Sequence, residues 1–171
     1  MLKNRLLWGI ALFAGVVVAC ERTNPYDEAA QREIDENTIK DWIAKDTVSF
    51  TRHESGVYYK ITKPGTGNRT IGLKDTLYVQ YEGKLLTDSI FSSTATETDT
   101  LKCTLEAVMP GWQKVVPLIK LGGQIRMIIP STLGYQNKAV SYGSLERQQV
   151  PPNSNLDFRV DIRRIKYYVS K

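Results

Sequence analysis

Histidine and cysteine are nearly missing from this chain: one His53 and two cysteines, Cys20 and Cys103, in 171 residues. A single imidazole, set in the polar stretch RHESG, excludes a histidine-rich metal site and puts a catalytic triad out of reach. His53 therefore reads as a solvated loop residue. Cys20 ends an apolar leader, so Cys103 is the one thiol left in a mature chain and no intramolecular disulfide follows. With no histidine close to it in LKCTLEAVM, Cys103 reads as a small buried apolar residue rather than a nucleophile. A large excess of one charge is also missing. The net charge is +5, and without Lys3 and Arg5 it falls to 21 basic against 18 acidic residues. The signs are interspersed and no Lys or Arg stripe alternates with aromatics, which excludes nucleic acid as a partner.

The longest apolar run lies within the first twenty residues, MLKNRLLWGIALFAGVVVAC. Lys3 and Arg5 precede a stretch too short for a comfortable membrane span, and the run ends in small residues, as secretory signals do. Val17-Val18-Ala19-Cys20 resembles a bacterial lipobox, which implies lipid on Cys20 and two acyl chains, enough for stable anchoring. The plainer reading is an ordinary signal peptide with a chance cysteine. The expected division is a signal peptide at 1–19, a lipidated tether and helical extension at 20–54, and a folded domain at 55–171. The expected location is the bacterial cell envelope, outside the cytoplasm and bound to a membrane through Cys20.

Beyond the tether, PYDEAAQREIDENTIKDWIAKD predicts a helix from Pro25 to about Asp46. Asn24 suits its N-cap, Pro25 its first position, and Asp27 and Glu28 its positive end. Ile39, Trp42 and Ile43 form a narrow apolar face that docks on the domain, meets a second copy, or belongs to a marginal spacer. From about residue 55 the period changes to two. GVYYKIT, DTLYVQYEGKLL, GQIRMII and LDFRVDIRRI read as strands, with Leu156, Phe158, Val160 and Ile162 alternating against Asp157, Arg159, Asp161 and Arg163. Such alternation predicts antiparallel pairing, one wet face and one buried face. A single helical stretch at about 111–120 is available to cover the buried face, and Pro117 should shorten or distort it. The fold class is α+β: an antiparallel sheet curved over one short helix, preceded by a helical extension.

One stretch raises a functional question. In AVMPGWQKVVPLI, residues 107–119, the largest side chain directly follows the two strongest structure breakers. A tryptophan held rigidly past a turn is placed to line something. From about 55 to 166 the chain resembles the FKBP-type peptidyl-prolyl cis-trans isomerases. The motifs VQYEGKL (79–85), IFSS (90–93), AVMPGW (107–112), LGGQIRMIIPSTLGY (121–135) and VPPNSNLDFRV (150–160) occur in that family's order.

The resemblance implies that Trp112 floors an apolar pocket receiving a proline ring, walled by Tyr81, Phe91, Val108, Met109, Val150 and Phe158, with a loop tyrosine above. It implies that the Met109 backbone N–H donates to the substrate carbonyl, and that no metal or cofactor takes part. The expected partners are proline-containing segments of envelope proteins. The alternative to each wall assignment is plain core packing.

Two departures from the family pattern stand out. Ser92 replaces the family's pocket acid, which removes a charge-assisted partner from Tyr81 and is expected to weaken catalysis. The loop tyrosine is Tyr135 in IPSTLGYQ, with Gln136 where glycine is usual, or Tyr142 in SYGS, with Gly143 following. The two functions carried forward are a membrane-anchored prolyl isomerase that assists envelope protein folding, and a catalytically weak binding or chaperone module.

Overall fold

The computed structural model of the protein describes residues 26–94, 99–142 and 149–169. The leader, Cys20, Asn24 and Pro25 lie outside the described residues.

Helix α1 spans Glu28–Ile43. It starts later than the sequence suggests, because Asp27 is the N-cap and its carboxylate accepts from the Ala29 and Ala30 N–H groups, both at 3.0 Å. That satisfies two of the donors a helix N-terminus leaves open. The helix also stops three residues before Asp46.

Nine strands follow among the described residues: β1 Thr51–Arg52, β2 Tyr58–Lys63, β3 Thr76–Leu85, β4 Ile90–Ser93, β5 Leu101–Thr104, β6 Gln124–Ile129, β7 Val140–Ser141, β8 Gln149–Val150 and β9 Leu156–Lys166. The main sheet runs β1-β2-β6-β9-β3-β4, with β5 also on β3, and every pairing is antiparallel. β7 and β8 form a small separate pair.

Helix α2, Pro110–Val115, covers one face of the sheet. It ends where the 3-10 turn Val116–Leu118 begins, because the ring of Pro117 has no N–H to continue an α-helical ladder. Trp112, Val115, Val116 and Ile119 pack with Leu77, Val79, Ile125, Met127, Val160 and Ile162 into the main core. The close approach depends on Gly111, where a Cβ would fall inside the side chain of Ile129.

The other face of the sheet is not uniformly wet. Ile39 of α1 is fully buried against Tyr58 and Ile128, with Trp42, Ile43, Phe50 and Leu86 around them. Removing an isoleucine from water in this way contributes about 1.5–3 kcal/mol. Trp42 Nε1–H donates to Leu86 O at 2.9 Å. The apolar stripe of the extension thus docks on its own domain.

This docking corrects the expected face of β9, because Asp157 lies buried under the extension instead of in solvent. Its carboxylate accepts from Arg126 Nε and Nη2 at 3.0 and 2.8 Å. Arg126 also pairs with Asp46 at 3.0 Å and stacks over the rings of Trp42 and Phe50. A charge buried with this many partners offsets most of its desolvation cost.

Candidate active site

The aromatic residues named from the sequence converge where β3, β4, β9 and α2 meet. Trp112 follows Pro110-Gly111 at the start of α2 and is 3% exposed. Its ring meets Phe158 edge-on at a centroid separation of 5.3 Å and Tyr81 at 6.0 Å. Phe158 in turn meets Phe91 edge-on at 5.6 Å. Edge-to-face contacts in this range contribute about 0.5–1.5 kcal/mol each beyond area burial. Gly83 permits the cluster. A Cβ there would lie 2.7 Å from Phe158 and 2.8 Å from Phe91.

Over these rings lies a cavity of about 420 Å³, lined among others by Tyr81, Val108, Met109, Trp112, Tyr135 and Phe158. Gln113 holds its rim, donating from Nε2 to Val108 O at 2.8 Å. The Trp112 Nε1–H is buried without a hydrogen-bond partner among the described residues. An orphaned donor of this kind costs about 1–3 kcal/mol, which a phenylalanine chosen only for volume would avoid. A larger concavity of about 720 Å³ lies on the outer face of the sheet, but there Arg126 is already committed to Asp157 and Asp46.

Both tyrosines proposed for the loop reach the cavity. Tyr135 follows the 3-10 turn Ser131–Leu133, Tyr142 follows β7, and their hydroxyls are hydrogen-bonded to each other. The rings stand 6.3 Å apart. Burial pushes both phenols above their ordinary value, reinforced at Tyr135 by the hydrogen bond to Tyr142. Gln136 adopts the left-handed backbone region at φ 57°, where glycine is ordinarily favoured. Residues 143–148 lie outside the described residues.

The segment 67–163 matches the family model of the FKBP-type peptidyl-prolyl cis-trans isomerases. The chain belongs to that family. It is 34% identical over 139 residues to the probable FKBP-type isomerase FkpA of Neisseria meningitidis, covering 81% of this chain and 48% of the relative. It is 30% identical over 112 residues to the outer membrane protein MIP of Legionella longbeachae, covering 66% and 45%. The crystal structure of FkpA from Escherichia coli superposes with a TM-score of 0.64 at 29% identity, covering 81% of this chain and 61% of that one. The chain spans about half the length of the curated relatives it matches.

Within this FKBP-like fold, Tyr81, Val108, Met109, Trp112, Phe158, Tyr135 and Tyr142 all border the one cavity. Phe91 is 1% exposed and backs it through Phe158 and Tyr142. Val150 does not line it. It is buried opposite Val140 in the small β7–β8 pair, a core position despite its flanking prolines. Ser92 borders an adjoining cavity of about 620 Å³ and reaches the Tyr81 hydroxyl at 2.7 Å. Among the described residues nothing hydrogen-bonds to the Met109 N–H, while Met109 O accepts from Trp112 N at 3.1 Å.

Sequence reasoning missed Leu101, Ala107 and Gly134, which also line the cavity. Ala107 and Gly134 lie within the quoted motifs, so their place was readable. Leu101 gave no local signal, because it arrives through the pairing of β5 with Val79 of β3. Cys103 is half-buried, and burial raises its thiol, which disfavours the nucleophilic thiolate.

Proposed function

We propose that this chain is a peptidyl-prolyl cis-trans isomerase acting on proline-containing segments of envelope proteins. The observation that carries the reading is the box of Tyr81, Trp112 and Phe158 around an open cavity, beside a Met109 N–H with no partner among the described residues. An X–Pro bond is nearly balanced between cis and trans but crosses slowly, because amide resonance must be broken on the way. In the twisted amide the nitrogen is no longer conjugated and less charge is separated. An aromatic, mostly apolar cavity favours that state over the planar one, while the Met109 N–H keeps the carbonyl hydrogen-bonded. Only such differential binding lowers the barrier, and no nucleophile or metal is needed.

In this reading Tyr81, Phe91, Met109, Trp112, Tyr135 and Phe158 form the catalytic constellation. Ser92, Val108 and Tyr142 shape substrate binding, and Val150 supports the pocket from the core. Membrane attachment through lipid on Cys20, after removal of residues 1–19, completes the proposal. The basic and then apolar leader supports it, as does the likeness to a protein named as an outer membrane protein. Residues 20–54 then form tether and extension, and 55–171 the isomerase domain.

The deciding experiment is NMR exchange on a proline peptide library with soluble residues 21–171, beside a Trp112→Ala control. Faster cis/trans exchange with the wild type alone establishes the enzyme. Peptide shifts without acceleration favour the second reading, a binding or chaperone module, which the neutral Ser92 motivates. No response from either protein removes both. Mass spectrometry of the membrane-extracted chain and its Cys20→Ser variant tests the anchor.

A further inference from the structure

The extension does more than cover the sheet. Residues 35, 39 and 43 of α1 fall on one face, and Ile39 is fully buried there. An apolar residue at 35 would suit such a docking stripe best. Asp35 stands there instead, at 1% exposure, with no Lys or Arg paired to it among the described residues. A buried carboxylate without a cation is a costly choice unless hydrogen bonds satisfy it. Here they do. Oδ2 accepts from Ser131 Oγ at 2.8 Å and from Thr132 N at 3.3 Å, and Oδ1 accepts from Gln31 Nε2 at 2.8 Å.

Ser131 and Thr132 begin the turn that delivers Tyr135. Ser131 N donates to Asn155 Oδ1 at 3.0 Å, and Ser131 O accepts from Gly134 N at 3.0 Å and Gln136 N at 2.9 Å. The loop from 131 to 136 is therefore folded back onto one residue, and that residue is gripped by Asp35 and Asn155. Tyr135 sits between the two ends of this fold-back.

We infer that Asp35 is a positioning residue: through Ser131 and Thr132 it sets where Tyr135 stands over the cavity. The inference rests on the isomerase reading for its consequence in catalysis, but not for its geometry. It makes the N-terminal extension part of the active-site apparatus, although no atom of α1 lines the cavity.

The test uses soluble residues 21–171, which contain every contact just named, as Asp35→Ala, Asp35→Asn and Ile39→Val variants. Ile39→Val loosens the same helix without touching the loop. Two readouts are taken: amide exchange at 132–136 with the Tyr135 ring resonances, and catalysed cis/trans exchange. Asp35→Ala should speed loop amide exchange and shift the Tyr135 ring signals. It should also slow catalysis by roughly tenfold, as displacement of a substrate-positioning group by a fraction of an ångström does. Asp35→Asn keeps an acceptor oxygen for Ser131 and should restore both readouts, and Ile39→Val should move neither. Unchanged loop signals in Asp35→Ala, equal changes in Ile39→Val, or a displaced ring with full catalysis each overturn the inference. If the wild type accelerates no peptide, the isomerase reading fails, and the loop and ring signals alone decide for or against Asp35.

Discussion

The hydroxyl of Tyr81 lies 2.7 Å from Ser92 Oγ, a bond that ties β3 to β4 at the wall of the cavity. The bond is neutral, where a carboxylate would make it charge-assisted and about twice as strong. Ser92→Asp should therefore anchor Tyr81 more firmly and speed peptide exchange roughly fivefold, the rate equivalent of about 1 kcal/mol. Ser92→Ala should slow it. Identical rates in NMR exchange for all three proteins would mean that the Tyr81 hydroxyl takes no part in turnover.

Tyr135 and Tyr142 compete for one another's hydroxyls at the cavity mouth. Tyr142→Phe should release the Tyr135 hydroxyl toward substrate and tighten peptide binding, whereas Tyr135→Phe should weaken it. Titration by NMR at fixed temperature separates the two, and equal affinities for both variants count against a substrate contact by Tyr135.

The same two phenols carry a pH signature. Burial raises both above 10.0, so each stays protonated in the folded chain after the unfolded chain has ionised. Their contribution to stability is full below the unfolded value and is lost as pH rises from there through the raised folded values. Chemical denaturation should accordingly show a loss of stability that begins above about pH 10. That loss should be smaller in the Tyr135→Phe/Tyr142→Phe double variant.

Gly83 leaves no room for a methyl group between Phe91 and Phe158. Gly83→Ala should destabilise the fold by about 1–3 kcal/mol through overpacking and displace the rings that wall the cavity. Urea unfolding measures the first effect and peptide exchange the second. A variant as stable and active as the wild type would show that the rings yield without cost.

Arg126 bridges the sheet to the segment after α1, pairing with Asp157 and Asp46 and facing Trp42 and Phe50. Arg126→Ala leaves Asp157 buried at 4% exposure without its cation, at a cost of about 3–5 kcal/mol. Urea unfolding should register that loss, and limited proteolysis should cut residues 26–50 sooner. Restoring stability with Asp157→Asn in the Arg126→Ala background would confirm that the orphaned charge is the cause.

Much of this architecture was legible because its causes are local. Strict alternation in Leu156–Ile162 reports a half-buried strand wherever it pairs, since side chains of a strand point to opposite faces with a period of two. Pro117 stops α2 by its own missing N–H. Trp112 after Pro110-Gly111 announced a lined site for the same kind of reason: the turn aims the ring, and only glycine fits against Ile129.

The rest depended on partners far along the chain. Asp157 reads as solvent-facing until α1 lies over it, and Asp35 reads as an ordinary helix acid until Ser131, 96 residues later, donates to it. The sequence offered Tyr135 and Tyr142 as alternatives, and tertiary structure brought both to one cavity, hydroxyl to hydroxyl. By itself the sequence determined the four long strands β2, β3, β6 and β9 and the break at Pro117, because backbone sterics and periodicity act within a few residues, while the aromatic set was implied by the family resemblance. Only the folded chain decided which charges are buried and which hydroxyls meet, because burial and hydrogen bonding belong to pairs of surfaces that no short window contains.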